Sequence, residues 1–136
     1  MFPPVQLRMP VRHLLCACIL PQVAQAADGV WSHSGGGSWS VGTNWSSGSI
    51  AGGISAQADF SALDLLSTTT LTLNGTRTLG RLKFGDASPS HDWFVRRGVS
   101  GSLTMDVAAG SPTVEVLNRS ATLGVDLLGN KGLTKS

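Results

Sequence analysis

The fold is decided by the stretch TLTLNGTRTLGRLKFGD, residues 70–86. Leucine and threonine alternate over residues 70–73, and charged and apolar residues alternate over residues 81–84. Because successive side chains of a strand point to opposite faces, this alternation predicts β-strands with one buried face. The dipeptide Asn74-Gly75 favours a hairpin by its local chemistry, although in a coiled chain it can also serve as a corner.

The same alternation continues towards the C-terminus, and no apolar spacing typical of an amphipathic helix persists over three turns. We predict an all-β fold with strands over residues 68–73, 77–84, 93–97, 102–107, 113–118 and 121–128. The centres of these strands recur roughly every 9–13 residues, a spacing that suits two architectures. One is an antiparallel β-sandwich, and the other is a solenoid in which each coil contains two or three short strands.

Residues 1–26 have the features of a secretory signal peptide. Two arginines precede an apolar run over residues 14–20, and residues 24–26, Ala-Gln-Ala, form a small-x-small cleavage signal. The apolar run is much shorter than the roughly 20 residues needed to cross a bilayer, and no later stretch approaches that length. We therefore expect export through the inner membrane, a mature chain that begins at Ala27, and no helical membrane span.

Charge and cysteine content exclude several classes of protein. The net charge of +2 arises from ten Lys and Arg against eight Asp and Glu. Two of the ten, Arg8 and Arg12, belong to the leader, which leaves a neutral mature chain. Without a basic stripe, neither nucleic acid nor anionic lipid is expected as a partner. Cys16 and Cys18 also lie in the leader, so the mature part is predicted to contain no disulfide.

Four aspartates are candidates for catalytic residues. Hydrolysis of sugars needs two carboxylates about 5–9.5 Å apart, and Asp86 and Asp92 flank one loop while Asp59 and Asp64 flank another. Aspartate is common in turns because its side chain accepts hydrogen bonds from the nearby backbone. We therefore interpret all four as turn residues and predict no catalytic pair.

The histidines and serines offer no stronger sign of an enzyme. His33 and His91 lack the closely spaced companions of a metal site, and no serine lies in a Gly-x-Ser-x-Gly motif. Glu115, the only glutamate, is expected on the polar side of its strand. The prediction is a protein that is not an enzyme, with no catalytic residues, metal or cofactor.

Three tryptophans, Trp31, Trp39 and Trp45, stand close together in a segment rich in Gly and Ser. An exposed row of indoles could stack on sugar rings, which would make them carbohydrate-binding residues. Alternatively, they form the core of an N-terminal cap that closes the end of a β stack, the interpretation that we favour in a chain with so few aromatics. Since Trp31 and Trp39 flank the glycines at 35–37, we predict a hairpin that pairs them on one face.

The segment that follows the tryptophans has a different amino-acid composition. Residues 46–58 are rich in Ser, Gly and Ala, and Ile50 and Ile54 are their only sizeable apolar residues. We expect an irregular, mobile loop anchored by these two isoleucines.

Several phrases of the sequence occur in a characteristic order: GVWSHSGGGSWSVGTNW at 29–45, ADFS at 58–61, TLGRLKFGD at 78–86 and GLTK at 132–135. This order resembles the N-terminal part of bacterial proteins that contain autotransporter-associated β-strand repeats. The resemblance implies a right-handed parallel β-helix, extended at the cell surface or in the medium and without a general active site. It also implies that GLTKS opens a repeat whose remainder lies beyond this sequence.

These observations predict a signal peptide over residues 1–26, a Trp/Gly/Ser-rich cap over 27–58 and the first coils of the β-helix over 59–136. The expected function is that of a non-catalytic structural or adhesin-like passenger segment, secreted or associated with the outer membrane or cell surface. Its partner would be a surface polysaccharide or a host surface. The alternative is a carbohydrate-binding β-sandwich, or the N-terminal module of a polysaccharide-active enzyme.

The last residues of the sequence carry a further expectation. Leu127, Leu128 and Leu133 lie close to the C-terminus, where a stack of coils would leave a strand edge exposed. We expect these leucines to be poorly buried, and the isolated chain to be weakly stable or to self-associate through this edge.

Overall fold

The chain winds into a parallel β-solenoid, which confirms the predicted all-β fold and β-helix architecture. A computed structural model describes residues 25–136, so nearly all of the predicted leader lies outside the described residues. The strands are β1 (Gly29–Val30), β2 (Gly37–Ser38), β3 (Gln57–Phe60), β4 (Thr69–Leu73), β5 (Thr76–Leu79), β6 (Arg81–Phe84), β7 (Trp93–Arg97), β8 (Ser102–Met105), β9 (Thr113–Val116), β10 (Ala121–Gly124), β11 (Asp126–Leu128) and β12 (Thr134–Lys135). Two short 3₁₀ helices, Gly42–Asn44 and Ser46–Gly48, follow β2.

Three sheets form the faces of the solenoid. Sheet 1 has the order β1-β3-β6-β9-β12, sheet 2 has β2-β4-β7-β10, and sheet 3 has β5-β8-β11. The chain visits the three faces in rotation and completes about 4 turns. Every pair of neighbouring strands in these sheets is parallel, so the alternative of an antiparallel sandwich is wrong.

The tight turns of the chain are corners between faces. Asn74 and Gly75 separate β4 from β5, which belong to different sheets, so this dipeptide forms a corner and not a hairpin. Gly75 has a φ of 72°, a left-handed conformation that favours glycine. The predicted strand over 77–84 is likewise divided, at Gly80, where a Cβ atom would lie 2.5 Å from the Cα of Ser55. A glycine at this corner therefore lets two coils approach closely.

The coils differ in length, yet their strands remain in register. Arg81 of β6 lies opposite Gln57, 24 residues earlier, and opposite Thr113, 32 residues later. The difference is absorbed by the loops between the strands, since the paired strands themselves are four residues long. Unequal loops also explain why the sequence shows no fixed repeat period.

The core is a column of inward-pointing side chains from successive coils. The alternation in the sequence predicts which residues point inward: Leu71, Leu73, Leu82 and Phe84 are all fully buried. In sheet 1 the ring of Phe60 stacks on that of Phe84, with centroids 5.1 Å apart and planes 13° apart. Burial of apolar surface along this column is the main stabilising contribution to the solenoid.

The expected hairpin and one of the two expected loop anchors near the N-terminus are wrong. β1 and β2 lie in different sheets, and Trp31 forms an antiparallel bridge with Trp45, so Trp31 and Trp39 are not partners in a hairpin. Ile50 packs against the core as expected, but Ile54 is 53% exposed. The size of an apolar residue does not predict its burial in this segment, because small residues such as Ala51 occupy the buried positions.

At the other end of the solenoid the expectation of poor burial is confirmed. Leu127, Leu128 and Leu133 are 41%, 51% and 45% exposed. The first two lie on β11, the last strand of sheet 3 among the described residues. No coil of residues 25–136 packs on the outer side of β11.

Truncating a core leucine tests the assignment of faces. Replacing Leu71 by Ala creates a cavity in the column, and we expect the free energy of unfolding to fall by about 2–5 kcal/mol. Leu66 is 82% exposed, so Leu66→Ala serves as the matched control and is expected to change this free energy by less than about 0.5 kcal/mol. Urea unfolding followed by tryptophan fluorescence measures both. Equal losses in the two variants would contradict the predicted inward face.

Candidate functional site

The three tryptophans form one buried cluster beneath the N-terminal end. Trp31 and Trp39 are 0% exposed and Trp45 is 2% exposed. The ring of Trp45 meets the other two edge-to-face, with centroids 5.1 Å from Trp31 and 5.2 Å from Trp39. All three indoles also contact Phe60, which continues into the column of the coils. Such edge-to-face arrangements are favoured by the quadrupoles of aromatic rings.

The polar edges of these indoles are satisfied inside the protein. The Nε1 atom of Trp31 donates to the carbonyl of His33 at 2.7 Å. That of Trp39 donates to the carbonyl of Ala51 at 3.2 Å, and that of Trp45 to the carbonyl of Trp39 at 2.8 Å. With their faces packed and their N–H groups paired, none of the three presents a ring face on which a sugar could stack. Their burial favours the interpretation that they form the core of a cap.

The segment between β2 and β3 covers the outer edges of the first strands. Two antiparallel bridges, Ala27 with Gly52 and Trp31 with Trp45, lie along the free side of β1. On β2 the Nδ2 atom of Asn44 donates to the carbonyl of Ser38 at 2.9 Å. The amide of Gly53 donates to the carbonyl of Thr78 in β5 at 2.7 Å. The first strand of each sheet therefore has a hydrogen-bond partner on its outer side.

One arginine points into the hollow beside this segment. Arg77 lies opposite Leu103, a core residue, and its Nη2 atom donates to Ser40 Oγ at 3.1 Å. Its Nε atom is buried without an acceptor, and within residues 25–136 no carboxylate forms an ion pair with it. The hollow has a volume of about 360 Å³ and includes Gly52 and Gly53 in its lining. This arginine holds the cap segment by a hydrogen bond to a serine.

Asp86 is the most enclosed carboxylate among the described residues, at 2% exposed. Its Oδ1 atom accepts from the amide of Leu65 at 2.8 Å, and its Oδ2 atom accepts from the amides of Ser90 and His91 at 2.9 and 3.0 Å. Asn118, on the next coil, binds the backbone of Asp86 through both its side-chain oxygen and its side-chain nitrogen. The carboxylate thus joins loops of neighbouring coils, in agreement with its interpretation as a turn residue.

These contacts determine the pKa of Asp86. Burial alone would raise the pKa of this carboxyl group, because a charged group loses hydration. The amides of Leu65, His91 and Ser90 and the Ser90 hydroxyl outweigh burial, because each donates a hydrogen bond to the ionised form. The pKa of Asp86 therefore lies well below its usual range, and the group stays charged in the folded protein.

Asp86, Ser90 and His91 have the residue types of a hydrolytic triad, but their hydrogen bonds differ from those of one. The Nδ1 atom of His91 lies 2.9 Å from the carbonyl oxygen of Leu65 and 2.7 Å from Ser90 Oγ. Asp86 contacts the serine and not the histidine ring. In a hydrolytic triad the acid orients the histidine ring, so the contacts of Asp86 differ from those of a triad.

Two of the remaining candidates have hydrogen-bond partners. Asp92 accepts from the amide of Ser120, 28 residues later, at 3.1 Å and pairs with Arg119 at 3.3 Å. Asp59 accepts from the amide and hydroxyl of Ser61 at 2.8 and 2.6 Å, whereas Asp64 is exposed. Asp59 and Asp92 therefore contribute to turns.

Metal binding finds no support in the described part of the chain. The Nδ1 atom of His33 lies 2.7 Å from the carbonyl of Gly36, and His91 is held in the corner described above. Among residues 25–136 no group of three His, Cys, Asp or Glu side chains could hold a metal ion. The histidines contribute to turns.

A shallow polar hollow crosses the side of the solenoid at sheet 1. It has a volume of about 310 Å³, and its lining includes Gln57, Arg81 and Thr113, which are neighbours in the sheet. Arg81 Nε donates to Thr113 Oγ1 at 3.2 Å. The hollow contains no aromatic residue, so it offers hydrogen bonds to a partner without a stacking platform. No motif in the sequence indicates this hollow, because its residues lie on three coils.

Comparisons with protein-family models, curated proteins and solved structures find no significant match to this chain. The fold therefore defines the class of the protein, a parallel β-solenoid with an aromatic N-terminal cap. No helix within residues 25–136 has both the length and the apolar character to cross a membrane.

Acid unfolding tests the role of Asp86. The folded-state pKa of Asp86 lies below its unfolded value of about 3.9, so this carboxylate stabilises the fold above that pH and loses its effect as the pH falls towards the folded value. We expect Asp86→Asn to unfold at a lower urea concentration at pH 7, because its amide nitrogen cannot accept from backbone N–H groups. Its stability should also vary less between pH 5 and pH 2 than that of the unsubstituted protein.

Asp64→Asn is the matched control, since Asp64 is exposed. It should keep both the stability at pH 7 and the acid dependence of the unsubstituted protein. A steep acid dependence that survives unchanged in Asp86→Asn would show that other carboxylates cause it.

Proposed function

We propose that this chain is the N-terminal part of an exported, non-catalytic passenger of the autotransporter β-strand-repeat type, with a structural or adhesin-like role in the medium or at the cell surface. One observation carries the proposal: the solenoid is closed by an aromatic cap at the end that follows the predicted leader. The first paired residue of the cap, Ala27, is also the first residue after the predicted cleavage signal. A leader removed at this point would leave the cap intact.

The use of the polar residues supports a structural role. Asp86 and Asn118 join neighbouring coils, Asp92 holds a turn, and His33 and His91 bind backbone carbonyls. Side chains that could perform chemistry are thus engaged in holding loops. A solenoid with parallel sheets on its faces suits display or adhesion, because such a role needs an extended surface more than a deep pocket.

The partner in this proposal is a surface polysaccharide or a host surface. The contact would lie on the side of the solenoid, where the polar hollow at Gln57, Arg81 and Thr113 offers hydrogen-bond donors and acceptors. Hydroxyl-rich polymers can be bound in this way by a ladder of polar side chains, although without stacking the affinity per site is modest. A repeated array of weak contacts still gives firm attachment through multivalency.

Export is tested with the full chain in a Gram-negative host. A C-terminally tagged chain should reach the periplasm or the medium and begin at Ala27 by N-terminal sequencing, because residues 1–26 act as the leader. The control is Leu15→Arg, which places a charge in the apolar run and should leave unprocessed chain in the cytoplasm. Full-length, cytoplasmic product from the unsubstituted gene would refute the proposal.

Tryptophan fluorescence separates the cap from the carbohydrate-binding alternative. Trp31, Trp39, Trp45 and Trp93 are each at most 2% exposed, so we expect blue-shifted emission and little quenching by acrylamide. Soluble polysaccharides should leave the emission unchanged. The urea-unfolded chain is the control and should be quenched strongly. Ready quenching of the folded protein, or a saturable change with a polysaccharide, would favour the carbohydrate-binding module.

A further inference from the structure

One aromatic residue within residues 25–136 lies outside the core. The other six aromatic residues of this range are at most 2% exposed, whereas Phe94 is half-buried. Phe94 lies on β7 between Trp93 and Val95, which both point into the core. Because successive side chains of a strand point to opposite faces, the ring of Phe94 lies on the outer side of sheet 2.

The neighbours of Phe94 on this side of the sheet are mostly threonines. Two rows of residues in register form what we call the outer face of sheet 2: Thr70, Phe94 and Thr122, and beside them Thr72, Arg96 and Gly124. A Cβ atom at Gly124 would lie 3.2 Å from Cζ of Phe94, so the ring extends over a position that has no side chain. The outer face of sheet 2 thus offers one aromatic ring, three hydroxyl groups and one guanidinium group.

Arg96 gives this face a positive charge without a counterion. Arg96 is exposed, and it takes part in none of the ion pairs within residues 25–136. The charged residues beside it in the sequence are already paired, Arg97 with Asp126 at 2.6 Å and Asp92 with Arg119 at 3.3 Å. None of the six residues of the face is acidic, so the face attracts a partner with negative charge.

The chemistry of the face fits an acidic polysaccharide better than a protein. A protein partner would need an apolar centre to its contact, and no aliphatic side chain larger than threonine lies in the two rows. A sugar ring can stack its apolar side on an aromatic ring while its hydroxyl groups exchange hydrogen bonds with threonine hydroxyls. A carboxylate on the sugar would accept two parallel hydrogen bonds from an arginine.

We propose that the outer face of sheet 2 binds an acidic polysaccharide, with a sugar ring stacked on Phe94 and a sugar carboxylate on Arg96. The proposal rests on the proposed function for the class of partner, and it adds the charge of that partner and a second contact face. Coils that follow β10 along the solenoid would lengthen this face without covering it, because strands are added at the edge of a sheet. The indole of Trp93 lies on the inner side of β7, so such binding leaves the tryptophans in the core.

Titration calorimetry with two soluble polymers tests the proposal. All twelve strands and the core lie within residues 25–136, so this unit is used, and its eight Lys and Arg balance its eight Asp and Glu. Polygalacturonate should bind saturably and less tightly at high salt, because the contact includes an exposed charge. Dextran, which is neutral, should bind far more weakly. Equal binding of the two polymers, or of neither, would overturn the proposal, whereas the export experiment tests the proposed function separately.

Single substitutions locate the contact. Phe94→Ala removes the ring and should weaken the binding of polygalacturonate roughly tenfold. Arg96→Gln removes the charge and should weaken binding and reduce its dependence on salt. Arg81→Gln removes an equal charge from sheet 1 and is the matched control, with little change expected.

Circular dichroism shows whether each variant is folded, and Arg96→Gln, at an exposed position, decides the matter if Phe94→Ala unfolds. Unchanged binding by folded Arg96→Gln would overturn the proposal. A loss of binding in Arg81→Gln alone would also overturn it, because the contact would then lie at the polar hollow of sheet 1, and the proposed function would stand.

Discussion

Parallel strands stacked coil upon coil leave an unpaired row of backbone N–H and C=O groups on the first and last coil, and this constraint governs the structure. At the N-terminal end, a segment rich in small residues crosses the first coil and pairs with its unpaired backbone edges. Trp45 and Gly52 of this segment form antiparallel bridges beside β1, and Asn44 donates a side-chain hydrogen bond to β2. The volume below the segment is filled by indoles, since within residues 25–136 no coil above it supplies side chains.

The aromatic residues make the cap continuous with the coils. Phe60 contacts all three tryptophans of the cap and also stacks on Phe84, which packs near Trp93 in the next sheet. The predicted boundary at residues 58 and 59 falls inside β3, whose four residues serve both regions. Removal of an indole would therefore destabilise the first coils as well as the cap, because one packed core extends through both.

Much of the fold was predictable from the sequence, because a strand with one buried face leaves an alternating pattern. The strand over 93–97 was predicted residue for residue. The parallel arrangement was not settled by that pattern, since a corner such as Asn74-Gly75 and a hairpin have the same local chemistry. The burial of the tryptophans was foreseen, but their partners were not. Trp31 pairs with Trp45 because the chain between them folds back irregularly. Such a path depends on tertiary packing and leaves no periodic pattern in the sequence.

The corner at Asp86 shows why residue types alone are a poor guide to chemistry in this chain. An acid, a serine and a histidine lie within six residues, yet the carboxylate of Asp86 accepts from Ser90 and from the backbone amide of His91, and not from the imidazole ring. The amide of Leu65 donates to Asp86 and its carbonyl lies 2.9 Å from Nδ1 of His91, so one residue contacts both side chains. In this solenoid the polar side chains at the Asp86 corner therefore hold the loops of neighbouring coils together.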